Sequence, residues 1–294
     1  MITRFAPSPT GPLHLGHAYS AMLAQDMALE NGGDFFLRIE DIDQTRSRPN
    51  WETQIYDDLK WLGIWWPTPV MRQSERTDIY YKSLLSMWKR NYIFACSCTR
   101  RDVLSAVAAP QEGGLILTSP DGLIYPGTCR ACSAYDETDP LPTNTALRLY
   151  MERAVEDFAE YRTGGGVFSF QETGKGPNGE TGLIEFSSAD VLKNIGDIVL
   201  SRRDMGTSYH LSVVIDDAAQ NITHVVRGQD LFEATKIHVI LQRLLGLPTP
   251  TYHHHKLIRD ENGKRLAKRD DARAISKYRA DGCSPDDIRK MVGL

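Results

Sequence analysis

Residues 4–17, reading RFAPSPTGPLHLGH, constrain the fold more than any other stretch of the chain. A short apolar run (Ile2, Phe5, Ala6) predicts a strand, Pro7, Pro9, Gly11 and Pro12 predict a turn, and apolar periodicity from near Leu13 predicts a helix. A strand that turns into a helix start makes an anion and nucleotide site. The first backbone N–H groups of a helix lack intrahelical partners, and the helix dipole favours negative charge there. His14 and His17 are three apart and share a face of the first turn, while Gly16 lets a ligand come close to the backbone. On spacing alone the pair reads equally as two partly buried, hydrogen-bonded histidines. A metal site is less well supported, because no third ligand is near.

The chain has 294 residues, enough for one large domain or two smaller ones, and its 41% hydrophobic and 24% charged content is ordinary for a globular protein. A net charge of −4 announces no global basic field, although a local Lys/Arg stripe suffices for nucleic acid. No run approaches the roughly 18 apolar residues of a spanning helix. Met1 leads straight into a strand with no basic or apolar leader, so a cytoplasmic protein without a membrane partner is expected. Four of the five cysteines fall within residues 96–132, which fits a metal site in a reducing compartment better than a disulfide scaffold.

Along the chain, residues 13–31 predict a helix stopped by Asn31-Gly32-Gly33, and residues 35–39 predict a buried strand running into Glu40, Asp41 and Asp43. Amphipathic helices are expected at 51–63 and 77–91. Strand–helix–strand at this spacing implies a parallel sheet with ligands at the carboxyl ends of its strands, where the acidic cluster sits. From Cys96 to about Tyr135 the periodicity fades and an inserted knob is expected, held by something other than a large apolar core. Residues 145–175 read as strand-like alternation, and 174–182 as a loop. The sheet pattern resumes near Asp197-Ile198-Val199-Leu200. A helix follows at 208–217, a strand at 222–226, a helix at 231–245, a short strand at 256–258 and a basic loop at 263–269.

Together these pieces resemble the class I aminoacyl-tRNA synthetases, and within them the glutamyl group. Residues 4–8 followed by Gly11-Pro12-Leu13-His14-Leu15-Gly16-His17 are similar to that family's first signature. Arg38-Ile39-Glu40-Asp41-Ile42-Asp43 resembles the strand-end motif of the glutamyl and glutaminyl branch, and Val226-Arg227-Gly228-Gln229-Asp230-Leu231 and the basic loop near Lys268 follow in order. The chain ends about 25 residues after that loop, as the resemblance would have it in the glutamyl-Q tRNA(Asp) synthetases, shortened paralogues without the anticodon-binding domain. The resemblance implies an α/β fold: a Rossmann-like parallel-sheet catalytic domain in two halves, 1–94 and 191–294, with a zinc-containing, RNA-contacting insertion at 95–190. A monomer is expected.

What the resemblance implies for the site follows residue by residue. His14 and His17 would stabilise the transition state at the α-phosphate of ATP, supplied with Mg²⁺, and Lys268 would place a point charge on the phosphates, with Gly16 in the same site. Here the loop reads Arg265-Leu266-Ala267-Lys268-Arg269, with Arg for the usual first Lys and Ala for the Ser, so one hydroxyl hydrogen bond is lost. Arg4 and Arg227 would take the carboxylates of L-glutamate and Glu40 its ammonium, with Tyr209, Phe5, Ala6, Pro7 and Ser8 lining the pocket. For zinc, the residues alone offer Cys96 and Cys98 with the Cys129/Cys132 pair, whereas the resemblance implies Cys96, Cys98, Tyr125 and Cys129. His253-His254-His255 read as strand-end polar residues near the nucleotide, and Asp216 and Asp217 as caps or ion pairs. Arg100, Arg101, Arg130, Arg202 and Arg203 are candidates for RNA contact.

The activity implied is ATP-dependent formation of glutamyl-adenylate and transfer of glutamate to queuosine at the wobble position of tRNA(Asp). Two other functions remain open at this stage. One is a short enzyme charging the 3′ end of tRNA(Glu); the other is a non-catalytic paralogue that binds glutamate or adenylate.

Overall fold

A computed structural model describes residues 1–108, 118–130, 138–159, 166–259 and 273–294. Lys268, the rest of the basic loop and Cys132 lie outside the described residues. The first half runs β1 (Ile2–Phe5), α1 (Leu15–Glu30), β2 (Asp34–Ile39), α2 (Pro49–Trp61), β3 (Met71–Arg72), a 3-10 turn (Gln73–Arg76) and α3 (Thr77–Lys89). Then come β4 (Ile93–Cys96), α4 (Arg100–Ala108), β5 (Thr118–Ser119), β6 (Gly122–Leu123), β7 (Ala146–Leu149) and α5 (Met151–Ala159). The remainder is β8 (Val167–Glu172), β9 (Gly182–Ser187), α6 (Ser188–Asn194), β10 (Val199–Ser201), α7 (Tyr209–Ala219), β11 (His224–Gly228), a 3-10 turn (Gln229–Leu231), α8 (Ala234–Leu245), β12 (Thr251–His255), α9 (Ile275–Ala280) and α10 (Pro285–Val292).

Strands β1, β2 and β3 pair in parallel, as do β11, β12 and β8, with β9 added antiparallel at the edge. The two groups meet at β1 and β11, where Thr223 N donates to Ile2 O at 3.0 Å and Ile2 N to Thr223 Oγ1 at 2.8 Å. The parallel sheet expected from strand–helix–strand spacing is therefore present, and α1 packs on it through Ala18, Ala21, Met22, Ala24 and Ala28, all at most 2% exposed. These small residues bring the helix close to β1. Among the described residues no helix is long and apolar enough to cross a membrane.

Three expectations are corrected. Residues 145–175 are not all strand: Met151, Ala154 and Val155 are buried at helical spacing and form one face of α5. Residues 197–200 do not resume the parallel sheet, because β10 pairs antiparallel with β7, which pairs with β4, in a separate three-stranded sheet. The strand placed at 256–258 is β12 at Thr251–His255; His254 and His255 are buried in hydrogen bonds, so polarity hid a strand that an apolar pattern would have marked. Residues 167–187, inside the span expected for the insertion, form β8 and β9 of the same sheet as β11 and β12.

The loop after β8 is pinned against β12. Lys175 N donates to His254 O at 2.9 Å, and a Cβ on Gly174 would lie 2.2 Å from that same oxygen, so only glycine fits there. On the other side of the fold Asp216, fully buried on α7, accepts from Arg76 Nε at 2.7 Å, Tyr80 Oη at 2.8 Å and Gln73 Nε2 at 2.9 Å. One carboxylate thus ties α7 to α3 and its preceding turn. Asp216→Ala leaves a guanidinium without its counter-charge and is expected to cost about 3–5 kcal/mol. Urea denaturation checks this; an unchanged midpoint contradicts it.

Candidate functional site

The start of α1 is built by the two histidines themselves. His14 is the N-cap, its Nδ1 accepting from Gly16 N at 3.1 Å, and His17 Nδ1 accepts from His14 N at 3.1 Å in a reciprocal capping box. A nitrogen that accepts from an amide carries no proton, so each neutral ring holds its hydrogen on Nε2. The rings lie 3.8 Å apart between centroids. A Cβ on Gly16 would sit 3.0 Å from His14 Cε1, so the glycine makes room for the His14 ring. The backbone-approach role expected of Gly16 is joined by this packing role.

Beside the helix start lies a buried charge cluster. Arg4, at the end of β1, gives Nε and Nη2 to the two oxygens of Asp217 at 2.9 and 3.4 Å. Arg38, fully buried on β2, gives Nη1 to Asp217 Oδ1 at 2.6 Å and Nη2 to Glu40 Oε1 at 3.1 Å. Burial opposes the charge on Asp217, but the Arg4 and Arg38 guanidiniums outweigh it and hold the carboxyl below the usual range. For Glu40 burial wins over the same two arginines, and its carboxyl is raised.

Arg227, at the end of β11, is held on four sides. Nε donates to His254 Nε2 at 3.1 Å, Nη1 to His238 Nδ1 at 3.1 Å, and Nη2 to Thr235 Oγ1 at 2.7 Å and Leu231 O at 3.2 Å. Four of its five N–H groups are thereby engaged with described residues, and it presents a single N–H rather than a two-toothed fork. His254 in turn faces Glu172, with Nδ1 2.5 Å from Oε2. Burial, with Arg227 adding to it, lowers the pKa of both His238 and His254 and keeps them neutral.

These groups line two adjoining cavities. The first, about 360 Å³, takes in Arg4, Glu40, Tyr209 and Arg227 together with His14, Gly16 and His17. Ser20, His255, Leu257 and Ile258 close its far side. The second, about 630 Å³, shares Phe5, Ala6, His17, Glu40 and Tyr209 with the first and continues past Pro7 and Ser8 to Asp121 and Arg202 of the inserted region and its flank. Every residue expected at the amino-acid and nucleotide positions lines one or other cavity, apart from Lys268, which lies outside the described residues.

Cys96, Cys98 and Cys129 form the second cluster, their Sγ atoms all within 4.8 Å of one another. Tyr125 Oη is 3.4 Å from Cys96 Sγ and 3.5 Å from Cys98 Sγ, and accepts from Cys129 N at 2.8 Å. Tetrahedral coordination with metal–sulfur bonds of about 2.3 Å needs sulfurs slightly under 4 Å apart, so the three thiols fit a metal ion. Their surroundings are thin: among the described residues the buried apolar cluster there is Phe94, Cys96, Val103 and Tyr125. A core of that size needs a staple.

Arg130, a candidate for RNA contact, is engaged within the protein: it donates to both oxygens of Asp197 at 2.6 and 2.9 Å and lies over the Tyr150 ring. One expectation changes. His254 is a buried partner of Arg227, and of the three consecutive histidines only His255 lines the first cavity. Sequence reasoning left out Asp217, Arg38, His210 and His238. The pair Asp216-Asp217 at the end of an otherwise apolar helix was the available signal, because a buried carboxylate demands a buried cation.

Residues 1–111 and 180–294 match the family of tRNA synthetases class I (E and Q), catalytic domain, and the chain belongs to that family of ligase-type enzymes. It is 58% identical over 294 residues to Glutamyl-Q tRNA(Asp) synthetase of Rhodobacter capsulatus, with 100% of both chains covered. It is 36% identical over 293 residues to the protein of that name from Symbiobacterium thermophilum, covering 97% of this chain and 83% of that one. Among solved structures, a glutamate tRNA ligase from Elizabethkingia meningosepticum in complex with its amino acid superposes with a TM-score of 0.73 at 26% identity. That match covers 100% of this chain, which spans 60% of the ligase.

Elemental analysis of the purified protein is expected to return about one transition-metal ion per chain, lost in Cys98→Ser. A metal-free protein from metal-supplemented cells contradicts the reading of the thiol cluster.

Proposed function

We propose that the chain activates L-glutamate with ATP and transfers it to the queuosine base at the wobble position of tRNA(Asp). The observation that carries the chemistry is one cavity holding both a guanidinium–carboxylate pocket and the histidine-capped start of α1. Activation joins two anions, a carboxylate and the α-phosphate of ATP, so the site has to neutralise charge and align an in-line attack. Arg4 takes a substrate carboxylate with the N–H groups that Asp217 leaves, and Arg227 adds its remaining one. Glu40 faces the ammonium. Tyr209, whose phenol is held neutral by burial, closes the wall with Phe5, Ala6, Pro7 and Ser8.

His14 and His17 donate from Nε2 to phosphate oxygens as charge builds in the transition state. The helix dipole and the Gly16 turn add to the same end. Lys268 supplies a further charge to the phosphates, and Mg²⁺ enters with ATP. In the thiol cluster the ion is zinc, held by Cys96, Cys98 and Cys129 with Tyr125 as fourth ligand. Its part is structural, pinning the region that flanks the second cavity. The name carried by the 58%-identical relative supports queuosine tRNA(Asp) as acceptor.

The test is transfer of labelled glutamate to queuosine-containing tRNA(Asp), beside the unmodified tRNA and tRNA(Glu). Label on the queuosine tRNA alone, surviving removal of the 3′ end, is expected. Label at the 3′ end of tRNA(Glu) instead makes the chain a charging enzyme and overturns the proposal.

A further inference from the structure

Asp121 belongs to the inserted region, in the turn between β5 and β6, yet its carboxylate reaches the catalytic half. Oδ2 accepts from Val199 N at 3.2 Å, and Oδ1 lies 3.5 Å from His210 Nε2 on α7. His210 Nδ1 is 3.1 Å from His238 Nε2 on α8, and His238 Nδ1 is 3.1 Å from Arg227 Nη1. A chain of four polar side chains, its outermost contact the longest at 3.5 Å, thus runs from a turn at the edge of the second cavity to the arginine of the first. His210, His238 and Arg227 are at most 6% exposed, while the Asp121 side chain at the outer end is 25% exposed.

Only one placement of hydrogens satisfies every link. Arginine donates and never accepts, so His238 Nδ1 is the acceptor facing Arg227. Neutral His238 then carries its hydrogen on Nε2 and gives it to His210 Nδ1. His210 consequently carries its own on Nε2, directed at the Asp121 carboxylate, which only accepts. Each link donates outward, and the chain terminates on an anion. The opposite arm from Arg227 has the same form, through His254 to Glu172.

Arg227 favours this order from the inner end, and the Asp121 carboxylate adds to it from the outer end, because it would face a bare Nε2 in the other His210 tautomer, the one with its hydrogen on Nδ1. That tautomer places two N–H groups face to face at His238 Nε2. Relief comes from moving the His238 hydrogen to Nδ1, which sets the same conflict against Arg227 Nη1. A buried donor–donor contact costs the desolvation of both groups, and the guanidinium has to shift to escape it.

We infer that Asp121 is a positioning residue for Arg227: through the fixed tautomers of His210 and His238, the β5–β6 turn sets the guanidinium for the substrate carboxylate. This rests on the reading of Arg227 as an amino-acid-binding residue. The insertion is thereby coupled to the amino-acid pocket by a proton order rather than by packing alone. Asp121 itself touches neither glutamate nor ATP in this assignment.

The test measures glutamate-dependent ATP–pyrophosphate exchange for Asp121→Ala, His210→Phe and their double variant, with Arg227→Ala as reference. Each single change is expected to raise the KM for glutamate about tenfold while the KM for ATP stays within about twofold, and the double variant is expected to be no worse than either single. A rise in both KM values together marks general loosening and overturns the inference. So does an additive double variant, or an unchanged KM for glutamate in Asp121→Ala and His210→Phe while Arg227→Ala raises it. If Arg227→Ala leaves the glutamate KM untouched, the reading of the pocket fails along with the inference. Ring-nitrogen NMR of the unaltered protein gives a check that needs no variant: His238 is expected protonated on Nε2 alone, and protonation on Nδ1 overturns the relay.

Discussion

The Asp217 carboxylate, shared between Arg4 and Arg38, is the contact on which the site depends. It comes from α7, while the two arginines come from β1 and β2, so one group of atoms joins elements more than 170 residues apart in sequence. Three buried charges in mutual contact are tolerable only because each satisfies the others. Remove the carboxylate and two buried guanidiniums are left facing each other without their counter-charge. The arrangement also orients Arg4. With Nε and one Nη2 hydrogen committed to Asp217, the guanidinium plane is set before any substrate arrives.

The same logic recurs around the cavity. His14 and His17 cap their own helix through Nδ1, which fixes the hydrogens on Nε2. Arg227 is surrounded by acceptors whose tautomers are fixed by Glu172 on one arm and Asp121 on the other. In each case a backbone amide or a buried carboxylate decides where a side-chain hydrogen lies, and the site receives donors already aimed. Such preorganisation is what a reaction between two anions requires, since donors that had to reorient would give back much of their benefit. The segment around Cys96, Cys98 and Cys129 is held differently, among the described residues with a small apolar cluster and three thiols.

What could be read from the residues followed from how local the signal was. The strand–turn–helix at residues 4–17 and the acidic end of β2 are local, and both were visible as pattern: Gly and Pro for the turn, apolar spacing for the helix. The apolar pattern places the last strand several residues beyond β12 because His253, His254 and His255 do not look like a buried strand. His254 and His255 are buried with Glu172, Arg227 and Ser20 as their partners, and those partners are distant in sequence. Helix α5 was missed because its short apolar face lies between two stretches of strand-like alternation. Asp217 is legible as an ion-pair residue from the Asp216-Asp217 doublet, and the structure pairs it with Arg4 and Arg38; the roles of His210 and His238 exist only through contacts that no spacing along the chain encodes.

The central claim is that one cavity joins an amino-acid pocket to the anion-binding start of α1. Its most direct test is calorimetric titration with a non-hydrolysable glutamyl-adenylate analogue, which spans both parts. One site per chain is expected, weakened about tenfold to a hundredfold by Arg4→Ala, as loss of a charge-assisted hydrogen bond implies. Equal affinity in the variant and the unaltered protein, or no binding to either, contradicts it.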